Sequence, residues 1–261
     1  MSAVPSAPIA FFDVDETLIA AKGMLAFWDH WTADPAQAGA AGLGGSAVPD
    51  LRAAMAAGVP REELNRIYYR RFAGVPAAAL RSAARRWYDG YRRSAEAFVT
   101  AGLDAVARHR ALGHPVVLVS GSMRPLLEAV AEDLGADAVC CTEQEVAGGV
   151  LTGEVARPMI GRAKADAVTA LIRARGVRAA DCFAYGDHES DLAMLRAVGH
   201  PVVVNGSPGL VAQARRAGWP VLDGRRCPRG PVPCGPRAPH GPHGREGSAA
   251  RPAAGLRPVC V

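Results

Sequence analysis

Four short stretches of this chain hold residue types at spacings that allow chemistry. Asp13-Val14-Asp15-Glu16-Thr17 sets two carboxylates one residue apart, directly after an apolar run over residues 8–14. Two acids so placed at a strand end are costly to bring together unless a cation or a reaction uses both charges. Ser120-Gly121-Ser122 closes a second apolar run, residues 116–119. A hydroxyl and backbone N–H groups at a strand-to-helix turn make an anion cradle. Lys164, in Gly-Arg-Ala-Lys-Ala-Asp-Ala-Val, is one of two lysines beside 28 arginines. Its survival in an arginine-rich background suits chemistry that needs a compact ammonium. Gly186-Asp187-His188-Glu189-Ser190-Asp191 follows a third apolar run, with Asp187 expected in a loop and Asp191 in a first helical turn. The helix dipole accounts for one acid there, not for a cluster that mirrors the first. Each stretch alone also reads as ordinary structure: an acidic turn, a Ser-Gly turn, a solvated lysine, a cap.

The elements that must position these residues follow from the apolar pattern. Residues 8–14 are short and apolar enough for a buried strand. Met24, Phe27, Trp28 and Trp31 then recur at i, i+3, i+4 and i+7, the mark of one helix face. Residues 34–48 are mostly Ala and Gly and predict a flexible loop. Leu64, Ile67, Tyr68 and Phe72 form a second helical stripe, and Leu80, Ala84, Trp87 and Tyr91 a third. Beyond residue 96, strands are predicted at 116–119, 138–141, 182–185 and 202–204. They alternate with helices near 123–134, 164–175, 192–198 and 210–216, and a hairpin over 146–155. The pattern predicts an α/β fold: a Rossmann-like parallel sheet sandwiched by helices, with a helical cap inserted after the first strand. Residues 1–21 and 96–223 would form the catalytic core and residues 22–95 the cap.

Composition excludes several classes. At 261 residues and 49% hydrophobic, the chain is long enough to bury a core, and no apolar run reaches the ~18 residues of a membrane span. The net charge of +5 belongs to the end of the chain, because residues 224–261 hold seven Arg, no Lys and one acid. This Arg/Pro/Gly-rich tail has few large apolar residues and is expected to be disordered. It has no aromatic residue for base stacking, so nucleic acid is not expected as a partner, and without a spanning apolar run neither is a membrane. The remainder of the chain is near neutral. Ten Arg between residues 52 and 93 fit the solvated faces of amphipathic helices better than an anion-steering surface. Cys140, Cys141 and Cys182 lie in apolar runs, no secretory signal is read, and a reducing cytoplasm is the expected location. The oligomeric state is not legible.

Together and in this order, Asp-x-Asp-x-Thr, the Ser that closes a later strand, the Lys at a helix start and Gly-Asp-x-x-x-Asp resemble the motifs of the haloacid dehalogenase superfamily of phosphohydrolases. The longer runs, Phe-Phe-Asp-Val-Asp-Glu-Thr-Leu-Ile and Tyr-Gly-Asp-His-Glu-Ser-Asp-Leu-Ala-Met-Leu, look most like subfamily IB, the early-cap branch that includes phosphoserine phosphatase. The resemblance implies a Mg²⁺-dependent phosphatase. Asp13 would attack phosphorus and carry an aspartyl-phosphate, and Asp15 would serve as general acid and then base. Ser120, Gly121 and Lys164 would bind the phosphate, while Asp13, the Asp15 carbonyl and Asp187 would hold Mg²⁺. Asp191 would orient Lys164 or a metal-bound water. The implied partner is a small phosphorylated metabolite, such as a sugar, cyclitol or amino-alcohol phosphate. Two departures bear on specificity. Lys22 stands where phosphoserine phosphatases have a Glu that reads the substrate ammonium, and Ser190 stands where they have an Asn. A cation at residue 22 would repel phosphoserine, which leaves that substrate as the alternative reading. A non-catalytic binding protein on the same fold is a further alternative.

Overall fold

A computed structural model describes residues 7–34, 50–224 and 226–227. The predicted loop at 34–48 and the tail beyond 223 therefore lie almost wholly outside the described residues. Ala10-Phe11-Phe12 is apolar and fully buried on both faces, which makes β1 (Ala10–Phe12) a central strand. It pairs in parallel with β3 (Val116–Met123) on one side and β7 (Phe183–Gly186) on the other. With β4 (Ala138–Thr142), β8 (His200–Val204) and β9 (Val221–Leu222) the sheet runs β4-β3-β1-β7-β8-β9, every pair parallel. Alternate residues of β1 and β3 enter two separate cores. Ala10, Phe12 and Leu118 belong to the one that also takes the early helices, and Ile9, Phe11 and Val117 to the other. Helices therefore cover both faces, as the alternating pattern predicted.

Between β1 and β2 (Phe98–Val99) every element among the described residues is helical. These are α1 (Gly23–Ala33), α2 (Leu51–Ala56), α3 (Arg61–Arg70) and α4 (Ala77–Tyr91). Their apolar stripes meet around Phe72, whose ring lies 5.3 Å from Tyr68, 5.5 Å from Trp28, 5.6 Å from Trp31 and 6.1 Å from Phe27. The aromatic residues are thus the core of this helical segment. Several of its arginines pair with acids at the surface, Arg52 with Asp29, Arg70 with Glu63 and Glu154, and Arg85 with Asp89.

The remaining helices are α5 (Thr100–Ala111), α6 (Arg124–Leu134), α7 (Arg162–Arg175), the single turn α8 (Leu192–Leu195) and α9 (Pro208–Ala217). The hairpin of β5 (Gln144–Ala147) and β6 (Val150–Val155) turns at Gly148-Gly149, with φ of +57° and +82°. Two positive φ values suit the tight turn that matches strand twist. A short strand, β10 (Arg226–Cys227), pairs antiparallel with β2, so ordered structure extends past residue 223. Among the described residues no helix is long and apolar enough to cross a membrane.

Helix α5 was not legible as an apolar stripe, because it buries Gly102, Ala105, Val106 and His109. Small and polar residues replace the large apolar ones that reveal a helix face. Gly102 is small for a reason: a Cβ there would come within 2.1 Å of the Thr17 carbonyl oxygen. Gly90 in α4 has open space around its would-be Cβ. Gly102→Ala should therefore cost about 2–3 kcal/mol by overpacking. Gly90→Ala should gain up to about 1 kcal/mol of helix propensity. Thermal unfolding checks both, and a neutral Gly102→Ala would contradict this packing.

Candidate active site

Parallel pairing brings three strand ends side by side. Phe12 is in register with Leu118 and Tyr185, and the Asp13 amide donates to the Tyr185 carbonyl over 2.9 Å. Beneath this row the Phe12 and Tyr185 rings stack at 4.3 Å, nearly coplanar in tilt at 4°. Asp13 and Asp187 thus leave the sheet from neighbouring strands over one packed aromatic pair. Ser120-Gly121-Ser122 does not form the expected strand-to-helix turn. It stays within β3, whose register with β4 shifts between Ser120 and Met123. The Ser122 amide is not free, since it donates to Ser120 Oγ over 3.1 Å.

Asp13, Asp15, Ser120, Gly121, Lys164 and Asp187 all line one cavity with an empty volume of about 810 Å³, part of it open to solvent. Lys164, in the first turn of α7 and 4% exposed, donates to Asp13 Oδ1 and Asp191 Oδ1, each at 2.6 Å. Burial alone would lower the Lys164 ammonium. The charges of Asp13 and Asp191 and their hydrogen bonds outweigh it and hold the group above the ordinary lysine range. Asp191 is fully buried behind the cavity, where its Oδ2 accepts from the Asp187 and His188 amides at 3.3 and 3.2 Å. Asp187 Oδ1 accepts from the Thr17 hydroxyl over 3.3 Å.

One ammonium does not balance this many acids. Burial, then the neighbouring Asp13 and Asp191 charges, push Asp187 up to about 9. Burial, then Asp13, push Asp15 up to about 7, and burial raises Asp13 despite Lys164. Oxygens of Asp13, Asp187 and Asp191 lie within 4.8 Å of one another. A buried set of carboxylate oxygens with excess negative charge fits a hard divalent cation. Asp15 Oδ1 is buried and accepts no hydrogen bond of ordinary geometry, although the Gly23 backbone lies against it.

The helical segment supplies much of the rest of the lining. Asn65 Nδ2 and Tyr69 Oη, one turn apart on α3, both donate to the Gly121 carbonyl, at 2.8 and 3.1 Å. Arg61 Nη1 donates to Ser190 Oγ over 2.9 Å, so the serine that departs from the family pattern is a contact between α3 and the core. Lys22 lines the cavity at its half-exposed mouth, 3.6 Å from Glu16 Oε2. Its charge is paired, which weakens the repulsion expected of it. The apolar lining comes from Met24, Leu25, Leu51, Met55, Leu64 and Ile160. Sequence reasoning did not single out Asn65, Tyr69 or Arg61. An amide and two phenols within the apolar stripe of α3 were the available signal.

The sequence pattern of the haloacid dehalogenase-like hydrolases matches residues 10–196. A probable phosphatase of Mycobacterium tuberculosis is 34% identical over 216 residues, 82% of this chain and 74% of that protein. A phosphoserine phosphatase of Halobacterium salinarum is 35% identical over 142 residues, 54% of this chain and 63% of that one. Among solved structures, a phosphoserine phosphatase in a phospho-aspartyl intermediate analogue form superposes with a TM-score of 0.59. It is 19% identical and covers 85% of this chain and 95% of that one, a likeness of fold.

The ion-pair geometry makes a stability prediction. Lys164→Met leaves Asp13 and Asp191 buried without their cation, at a cost of about 3–5 kcal/mol near neutral pH. A carboxyl pKa raised by folding means the native state keeps a proton that the unfolded chain releases. Stability then falls as pH rises from the unfolded value near ~4 towards the Asp187 value of about 9. The melting-temperature deficit of Lys164→Met in chelator should therefore be large at pH 7.5 and narrow at pH 5. A deficit that widens at pH 5 contradicts the assignment.

Proposed function

This chain belongs to the haloacid dehalogenase-like hydrolase family, and on that premise we propose that it is a Mg²⁺-dependent phosphatase. Its substrate would be a small-molecule phosphate monoester, hydrolysed through an aspartyl-phosphate on Asp13, with residues 22–95 acting as the cap. The observation that carries the reading is the meeting of Asp13, Asp15, Ser120, Lys164 and Asp187 on one cavity.

In this reading the Asp13 carboxylate attacks phosphorus as the bond to the leaving oxygen breaks, which splits hydrolysis into two easier steps. Asp15, pushed up to about 7, carries a proton in a large share of molecules near neutral pH and gives it to the leaving oxygen. It then takes a proton from the water that cleaves the aspartyl-phosphate. Lys164 and Ser120 face the phosphoryl oxygens and stabilise their charge, and Asp191 holds Lys164 in place. Mg²⁺, held by Asp13, the Asp15 carbonyl and Asp187, would supply further positive charge to the phosphoryl group. A relative named phosphoserine phosphatase favours phosphoserine as a second reading of the substrate.

Asp13→Asn should lower phosphate release by at least about 10³-fold across a panel of phosphate monoesters. Full activity in that variant removes the mechanism. A clear preference of the wild type for phosphoserine over every other ester selects the second reading. Mg²⁺ and protons would compete for the same carboxylates, so Mg²⁺ should raise the melting temperature of chelator-treated protein more at pH 8 than at pH 5. Equal shifts at both pH values would argue against the acidic site as the place where the ion binds.

A further inference from the structure

Two residues that line the cavity carry a buried polar atom without a hydrogen bond of ordinary geometry, Asp15 at Oδ1 and Tyr68 at its hydroxyl. The proposed reaction uses the first and leaves the second unexplained. Tyr68 is fully buried in α3, and its ring is fixed edge-on against Phe72 at 5.3 Å and Tyr69 at 5.4 Å. The direction of the hydroxyl is therefore set by packing. An unpaired buried phenol is destabilising, and phenylalanine would fill the same space without that cost. Its polar neighbours on α3 are already engaged, Asn65 and Tyr69 with Gly121 and Arg61 with Ser190. At the mouth, Lys22 and Glu16 face each other. Apart from Ser122 and the residues of the proposed phosphate and metal site, the remaining lining is methionine, leucine and isoleucine. A polyol placed here would bury hydroxyls against apolar side chains without partners, which argues against the sugar or cyclitol expected from the sequence.

We propose that Tyr68 is a specificity residue. It donates a hydrogen bond to an acceptor on the leaving group of an otherwise apolar phosphate monoester, whose body packs against Met24, Leu25, Leu51, Leu64 and Ile160. The proposal rests on the phosphatase reading above. Burial and the nearby charge of Asp15 keep the phenol protonated, so it is a donor at any working pH.

The test compares benzyl phosphate with its three pyridylmethyl phosphate isosteres, which differ only in one ring nitrogen that accepts a hydrogen bond. Glucose 6-phosphate is the polyol control. The wild type should prefer at least one pyridylmethyl isomer over benzyl phosphate by about tenfold in kcat/KM. Tyr68→Phe should erase that preference while leaving benzyl phosphate turnover within about twofold. A merely structural role would lower all four aromatic esters together. Equal discrimination in wild type and Tyr68→Phe, no preferred isomer, or preference for glucose 6-phosphate overturns the proposal. If no ester releases phosphate, the phosphatase reading fails by itself. Calorimetric binding of the matching benzyl- and pyridylmethyl-phosphonates then decides on Tyr68. Isomer-selective loss of affinity in Tyr68→Phe supports the contact, and unchanged affinities exclude it.

Discussion

Burying several like charges at one point is the constraint on which the rest of this structure depends. Asp13, Asp187 and Asp191 gather around the single ammonium of Lys164, with Asp15 on the same cavity. In water these groups would stay apart, and in a low-dielectric site their repulsion grows. The fold opposes it with devices that are all local and specific. Two backbone amides and the lysine satisfy Asp191, and the Thr17 hydroxyl satisfies one oxygen of Asp187. What remains is excess negative charge and raised carboxyl pKa values, and both suit a site that takes a cation and moves a proton.

The two halves of the chain divide this work. The sheet sets the acids by register, because neighbouring parallel strands end at the same level and their last apolar residues stack beneath the site. The helical segment sets the other wall through α3. Asn65 and Tyr69 grip one carbonyl of the β3 bulge, and Arg61 reaches the loop that carries Asp187 and Asp191. The bulge itself frees the Gly121 backbone from the ladder, so its carbonyl can be held from above. A shift of α3 would therefore reach the proposed phosphate cradle and the cavity lining together.

Much of this was legible in the residues. Short apolar runs before Asp13, Ser120 and Asp187 marked strands, and strand ends are where such a sheet gathers side chains. The stripes through Phe27, Trp31 and Phe72 marked helices, since large apolar residues at helical spacing have few other uses. What escaped was carried by residues without a periodic signature. Helix α5 buries Gly102 and His109, and only three-dimensional packing against Thr17 explains the glycine. Ser120 to Ser122 reads as a turn by composition, whereas pairing with β4 at Ser120 and Met123 on either side of the bulge keeps it in the strand. Tyr68 and Tyr69 are adjacent and of one type, yet one is bonded to Gly121 and the other is buried without a partner. No pattern distinguishes them. Lys22 stood out by its place where phosphoserine phosphatases have a Glu, and only the fold pairs it with Glu16.

If Asp13, held beside Lys164, takes the phosphoryl group, it carries that group covalently between the two steps. Rapid acid quench during turnover of a ³²P-labelled phosphate monoester, followed by peptide mapping, tests it most directly. An acid-stable, hydroxylamine-sensitive label is expected on the peptide that contains Asp13, absent in Asp13→Asn. Continued phosphate release with no label on that peptide, or with the label on another residue, would contradict it.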